Sequence, residues 1–136
     1  MRILIIDGQG GGLGRALTEQ CIKRFPEAEL TCVGTNSAAT AAMLRAGAKR
    51  AATGENAVVV ACRTADVILG PLGIVIADAL LGEITPKMAL AVGQSAAQRI
   101  LLPVSHCNSQ VAGVSQNTVT ELVADAMQRL QALVEP

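Results

Sequence analysis

The chain opens on Ile3-Leu4-Ile5-Ile6, an unbroken apolar run stopped by Asp7-Gly8. A branched run with no polar alternation has no face to offer water. It predicts a strand over 2–6 that is covered on both sides, as in a parallel sheet. After the following glycines, Leu13, Ala16, Leu17, Cys21 and Phe25 fall at helical spacing, and Pro26 closes that helix. Residues 30–33 form a second apolar strand ending in Gly34-Thr35-Asn36. Asn36 or Ser37 then caps a second helix, with Ala39, Ala42, Met43 and Ala46 on its apolar face and Gly47 just past its end. A weak third strand over 50–53 leads into a short helix over 54–63, although Ala57-Val58-Val59-Val60 fits a strand equally well.

The second half keeps the alternation. Residues 66–69 read as a strand bounded by Gly70-Pro71, and 74–81 as a helix that stops at Gly82. Thr85-Pro86 starts another helix, with Thr85 as cap and proline at the first helical position. A strand over 99–104 follows, then a polar, irregular stretch with a short strand over 111–114. Thr118-x-x-Glu121 is a capping box, opening a last helix whose apolar face carries Val119, Leu122, Val123, Ala126, Met127, Leu130 and Val134. Short strands joined by helices run parallel, with right-handed crossovers. The expected fold is one Rossmann-like α/β domain over 1–136: three layers, with a doubly wound, mostly parallel sheet of about five strands and helices on both faces. Ligands of such sheets bind at the carboxyl ends of the strands, where the strand order reverses.

Composition narrows the function. Hydrophobic residues make up 51% of the 136, charged residues 16%, and 11 Lys+Arg balance 11 Asp+Glu. That excludes a disordered chain and leaves no basic excess for nucleic-acid phosphates. Phe25 is the only aromatic residue, so stacking platforms for bases are excluded too. The N-terminal apolar run is too short for a signal sequence and meets Asp7 at once. The longest nearly uncharged stretch, 67–77, contains Gly70, Pro71 and Gly73 and falls short of the roughly 18 residues a span needs. The expectation is a cytoplasmic protein with neither nucleic acid nor membrane as partner. Cys21, Cys32, Cys62 and Cys107 form no C-x-x-C pair, and His106 is the only histidine, so zinc-ribbon, thioredoxin-type and His-rich metal sites are not expected. Cys21 on a helix face and Cys32 in a strand read as small buried hydrophobes.

The strongest chemical signal is Asp7-Gly8-Gln9-Gly10-Gly11-Gly12-Leu13-Gly14, which joins the first strand to the first helix. Glycines allow a tight turn and let backbone approach a phosphate, while the free N–H groups of a helix start face the anion. So many glycines in a row destabilise a chain unless something requires them. No G-K-[ST] follows, which excludes the Walker A loop. An acidic residue directly before the glycines is unusual beside an anion. Asp7 either bonds loop N–H groups, or meets a ribose hydroxyl or a metal. Thr35, Asn36 and Ser37, at the end of the second strand, either cap the helix or accept a ribose 2′-phosphate; no acidic residue stands there for a bare ribose. The candidate cofactor-binding set is Asp7, Gly8, Gln9, Gly10, Gly11, Gly12, Leu13, Gly14, Thr35, Asn36, Gly70 and Pro71. In it Gly10, Gly11 and Gly12 approach the phosphate, Asn36 lies on the ribose side, and Gly70-Pro71 forms the opposite wall.

Gly8, Gly12 and Gly14 give a G-x-x-x-G-x-G spacing that resembles the cofactor loop of the short-chain dehydrogenase/reductase superfamily, with Asp7 where Thr is usual. The resemblance implies those three glycines as cofactor-loop positions and NAD or NADP as the cofactor. Gly70-Pro71-Leu72-Gly73 stands where that superfamily has an N-x-A-G turn, and with no Tyr in the chain its Y-x-x-x-K pair cannot exist. Over most of its length the chain resembles a small uncharacterised bacterial family, a domain of unknown function. The residues that carry this are 6–12, Gly34-Thr35-Asn36, 52–57 and 81–88. It implies no activity.

Three further polar turns fall at strand ends. Glu55 and Asn56 reach a ligand, or Thr53 caps a helix with Glu55 in its first turn. Glu83 either serves a functional site or simply favours the dipole of the helix at Pro86. Ser105-His106-Cys107-Asn108 contains a thiol, but neighbouring residues rarely face one another, so a ligand-contacting or structural loop is expected over a nucleophile. Two functions fit: a nucleotide-binding domain, in an enzymatic version an NAD(P)-dependent oxidoreductase, and a non-catalytic sensing or interaction module on the same fold. The phosphate-bearing ligand is joined by an expected partner of the chain's own kind. An apolar surplus at Ile74, Val75, Ile76, Leu80 and Leu81, all in one short helix, points to a homo-oligomer, most simply a two-fold dimer.

Overall fold

The computed structural model describes residues 1–104 and 108–135. Five strands form one sheet: β1 (Arg2–Asp7), β2 (Glu29–Gly34), β3 (Ala51–Thr53), β4 (Val67–Pro71) and β5 (Gln98–Leu102). Every pairing is parallel, in the order β3-β2-β1-β4-β5. The crossovers are α1 (Gly12–Arg24), α2 (Ser37–Arg45), α3 (Glu55–Cys62) and α4 (Pro86–Gln94), and α5 (Val119–Val134) closes the chain. This is the doubly wound α/β arrangement expected from the sequence, and the strand order reverses between β1 and β4.

The unbroken apolar run of β1 is explained by its central place. Ile3 and Ile5 face α1, α2 and α5 through Leu17, Cys21, Met43, Met127 and Leu130. Leu4 and Ile6 face α3 and α4 through Val58, Cys62, Met88 and Val92. Side chains alternate across a strand, so a central strand needs apolar residues at both parities. The caps sit where expected. Asn36 caps α2, Thr85 caps α4 with Pro86 behind it, and Thr118 with Glu121 forms the capping box of α5.

Three local expectations are corrected. The stretch 74–81 is not a helix. A 3-10 turn at Leu72–Val75 gives way to Ile76 in extended backbone, and Asp78, Leu80 and Leu81 adopt positive φ of 66, 56 and 57°. Burial overrides propensity here. Ile74, Ala79, Leu80 and Ile84 all enter the core beside α3 and α4, which one continuous helix face could not deliver. The apolar surplus read as a docking helix is thus largely internal, and Leu81 alone of Ile74, Leu80 and Leu81 is left outside, 97% exposed. No strand forms over 111–114. These residues are exposed, and they turn at Gly113, whose φ is 85°. Thr53 does not cap α3. Gly54 holds that position, and the Thr53 hydroxyl bonds Thr40 Oγ1 at 2.7 Å instead.

Candidate functional site

The glycine loop leaves β1 at the reversal point of the sheet. Gly8 and Gly11 close a turn, with the Gly11 N–H donating to the Gly8 carbonyl at 3.0 Å. Gly11, at φ 76°, is the residue preceding α1, and a Cβ there would lie 2.8 Å from Ala39 Cα. Gly8 is walled in by Thr35, Leu80 and Glu83, and Gly14 by Asp7 and Met43, with nearest approaches of 2.7 and 2.8 Å to a would-be Cβ. These three glycines are therefore demanded by packing.

Gly10 and Gly12 are different. A Cβ on either would meet nothing within 4 Å, and neither has positive φ. Both are exposed. The N–H groups of Gly10, Gly12 and Leu13 have no acceptor among the described residues. All three line a cleft of about 130 Å³, together with Pro71 from the end of β4, Leu80, and Val104 beyond β5. No Lys or Arg is among the lining residues. Gly70 does not line the cleft. A Cβ there would run into the Ile6 carbonyl, which leaves no room for a side chain between β1 and β4.

Asp7 resolves as a ligand of the loop itself. Its Oδ1 accepts from the Gly8 N–H at 2.8 Å and its Oδ2 from the Gly14 N–H at 2.6 Å. The side chain is buried, 5% exposed. Burial pushes the carboxyl above its ordinary range, the two N–H groups offset only part of the rise, and the nearby charge of Glu83 adds to it. A raised value in the folded state means that the fold favours the protonated carboxyl, a contribution to stability that is full below the ordinary 3.8 and is lost as pH climbs through the folded value.

Glu83, whose sequence neighbours suggest a helix-dipole role, instead turns back to the glycine loop. Its Oε1 accepts from the Gln9 N–H at 2.9 Å, from Thr35 Oγ1 at 2.6 Å and from Asn36 Nδ2 at 2.7 Å. Asn36 Nδ2 also donates to the Gln9 carbonyl at 3.0 Å, while Asn36 Oδ1 caps α2 through the Ala39 N–H. The loop between β4 and α4 is thereby fastened across the glycine loop to the end of β2. No local signal announces a contact 74 residues back along the chain. Burial alone would raise the Glu83 carboxyl, but the bonds from Thr35, Gln9 and Asn36 outweigh it and hold the group below the ordinary 4.5. The lowered value means the latch stabilises the fold above 4.5 and is lost as pH falls through the folded value. The stability advantage of the native chain over Glu83→Gln is accordingly expected to shrink on acidification below 4.5, as read by urea unfolding across a pH series. An advantage that is constant or grows in acid would contradict the latch.

Of the remaining polar turns, Thr53-Gly54-Glu55-Asn56 makes no hydrogen bond to Glu83 or Asp7 among the described residues. Glu55 and Asn56 begin α3, and no hydrogen bond ties their side chains to the glycine loop among the described residues. Residues 105–107 lie outside the described residues. Cys21, Cys32 and Cys62 are free and buried, and burial pushes their thiols up to about 12, 11 and 11, so they are packing groups rather than nucleophiles. Among the described residues no group of His, Cys, Asp or Glu is placed to hold a metal ion, and no helix is long and apolar enough to cross a membrane.

A family profile described as "Domain of unknown function (DUF3842)" matches residues 2–135. The chain belongs to this family. Among solved structures it is similar to the dodecameric FMN-dependent Ubix-like decarboxylase from Escherichia coli O157:H7, at 21% identity and a TM-score of 0.48, over 96% of this chain and 76% of that one. No curated protein matches the sequence.

Proposed function

We propose that this DUF3842 domain binds a phosphate-bearing nucleotide, with the phosphate held by the N–H groups of Gly10, Gly12 and Leu13 at the start of α1. One observation carries the reading. Four loop glycines line the cleft, and the two that packing does not demand, Gly10 and Gly12, are the two whose own N–H groups have no acceptor among the described residues. A missing Cβ with no internal cause leaves room for an approaching ligand. The cleft lies at the reversal point of the strand order, where α/β sheets take their ligands. With no Lys or Arg lining it, the attraction comes from backbone dipoles and the helix N-terminus.

The cofactor we propose is a nicotinamide nucleotide, NAD or NADP, with Pro71 as the far wall and the Thr35–Asn36 corner toward the ribose. A cleft of about 130 Å³ takes a phosphate group and leaves no space for a second reactant. That favours a nucleotide-binding or sensing domain, and an oxidoreductase would need walls from another copy of the chain. For self-association the exposed Leu81 is the apolar contact we propose.

A thermal-shift panel of NAD, NADP, FAD, ATP and S-adenosylmethionine tests the reading. A specific ligand adds about 2.7 kcal/mol at a hundredfold excess over its dissociation constant. Gly12→Val should remove that shift while the unliganded domain still melts cooperatively, because the branched side chain fills the approach to the N–H groups. No shift with any member, or a shift that survives Gly12→Val, would overturn the reading.

A further inference from the structure

The end of β2 carries no acidic residue in sequence, only Gly34-Thr35-Asn36-Ser37. In the fold a carboxylate arrives there from elsewhere. Glu83 Oε1 sits within hydrogen-bond distance of both Thr35 and Asn36, and also of the Gln9 N–H in the glycine loop. All three donors converge on Oε1, and Oε2 accepts from none of the described residues. Glu83 is only half-buried, and no buried side-chain oxygen is left without a partner among the described residues, so Oε2 is open to solvent.

We infer that Glu83 is the specificity-determining residue of the nucleotide site, accepting the 2′,3′-hydroxyl pair of an unphosphorylated ribose and excluding a ribose that bears a 2′-phosphate. The inference rests on the nucleotide reading above and names the ligand class within it. The physical argument is charge and donor count. The polar groups of Thr35 and Asn36 that would have bonded a 2′-phosphate are spent on Oε1, and what faces outward is an anion. A carboxylate accepts hydrogen bonds from hydroxyls, as an acidic residue at this corner does in dinucleotide-binding sheets. A phosphate dianion placed against it meets repulsion, and among the described residues no Lys or Arg forms a salt bridge with Glu83 to relieve it. The position is also held rather than sampled. Three hydrogen bonds fix the carboxylate, and the loop behind it is tied by Asp78 N–H to the Ile84 carbonyl at 2.7 Å and Ile84 N–H to the Ala79 carbonyl at 3.1 Å.

The test is calorimetric titration of NAD and NADP into the full chain and into Glu83→Gln, with Gly12→Val alongside. Glutamine keeps an acceptor oxygen for Thr35, Asn36 and Gln9 and removes the charge, and far-ultraviolet circular dichroism checks that the variant is folded. The native chain is expected to prefer NAD by about tenfold or more, and Glu83→Gln to narrow that preference to about threefold or less, chiefly by gaining NADP affinity. Gly12→Val should lose both ligands. A native chain that binds NADP as well as NAD, or a preference unchanged in Glu83→Gln, would overturn the role of Glu83 and leave the nucleotide reading standing. Binding of neither ligand would remove both.

Discussion

Gly14→Ala and Gly70→Ala are expected to lower the unfolding free energy by about 1–3 kcal/mol each, while Gly12→Ala leaves it unchanged or raises it by up to about 1 kcal/mol. The contrast follows from what each added methyl would meet. At Gly14 it would lie 2.8 Å from Asp7 Cβ and 3.0 Å from Asp7 Oδ2, so it disturbs the carboxylate that holds the loop. At Gly70 the obstacle is the Ile6 carbonyl, backbone of the central strand, which cannot swing aside as a side chain would. At Gly12 there is nothing within 4 Å, φ is not positive, and the residue is the first of α1. Alanine there removes only unfolded-chain entropy. Urea denaturation of the three variants measures the effect. A Gly12→Ala chain as damaged as Gly14→Ala would mean that all the loop glycines serve the fold, and the reason to look for a ligand would disappear.

Asp7→Asn is expected to cost about 1–3 kcal/mol, and Asp7→Ala more. The carboxylate accepts one N–H with each oxygen, Gly8 on Oδ1 and Gly14 on Oδ2, in a buried position. An amide has one acceptor and one donor. Whichever way it is turned, its NH2 faces a backbone N–H, and one buried donor loses its partner. Alanine strands both donors and opens a void beside Gly14. Thermal and urea unfolding of the two variants read this directly. An Asp7→Asn chain as stable as the native one would show that the carboxylate does not hold the loop.

Much of the fold was legible because its signals are local. The apolar run of β1, the caps at Asn36, Thr85 and Thr118, and Gly47 after α2 each state their structure within a few residues. The stretch 74–81 was not, since its apolar residues fit a helix and only the core beneath α3 and α4 decides otherwise. The candidate site divides the same way. The glycine loop was visible as a motif, but the motif does not separate Gly8, Gly11 and Gly14, which packing demands, from Gly10 and Gly12, which it does not. Glu83 looked like a helix-dipole residue because its neighbours in sequence are the start of α4. Its partners Gln9, Thr35 and Asn36 become neighbours only once the sheet is assembled.

The central claim concerns three backbone N–H groups, and amide NMR observes them one at a time. Titrating NAD into 15N-labelled protein should move the resonances of Gly10, Gly12 and Leu13 most, with smaller changes at Gln9 and Glu83. The same titration of Gly12→Val should move none of them. Shifts concentrated along the roughly 980 Å³ groove of residues 108–117 instead, or spread evenly over the chain, would contradict the account.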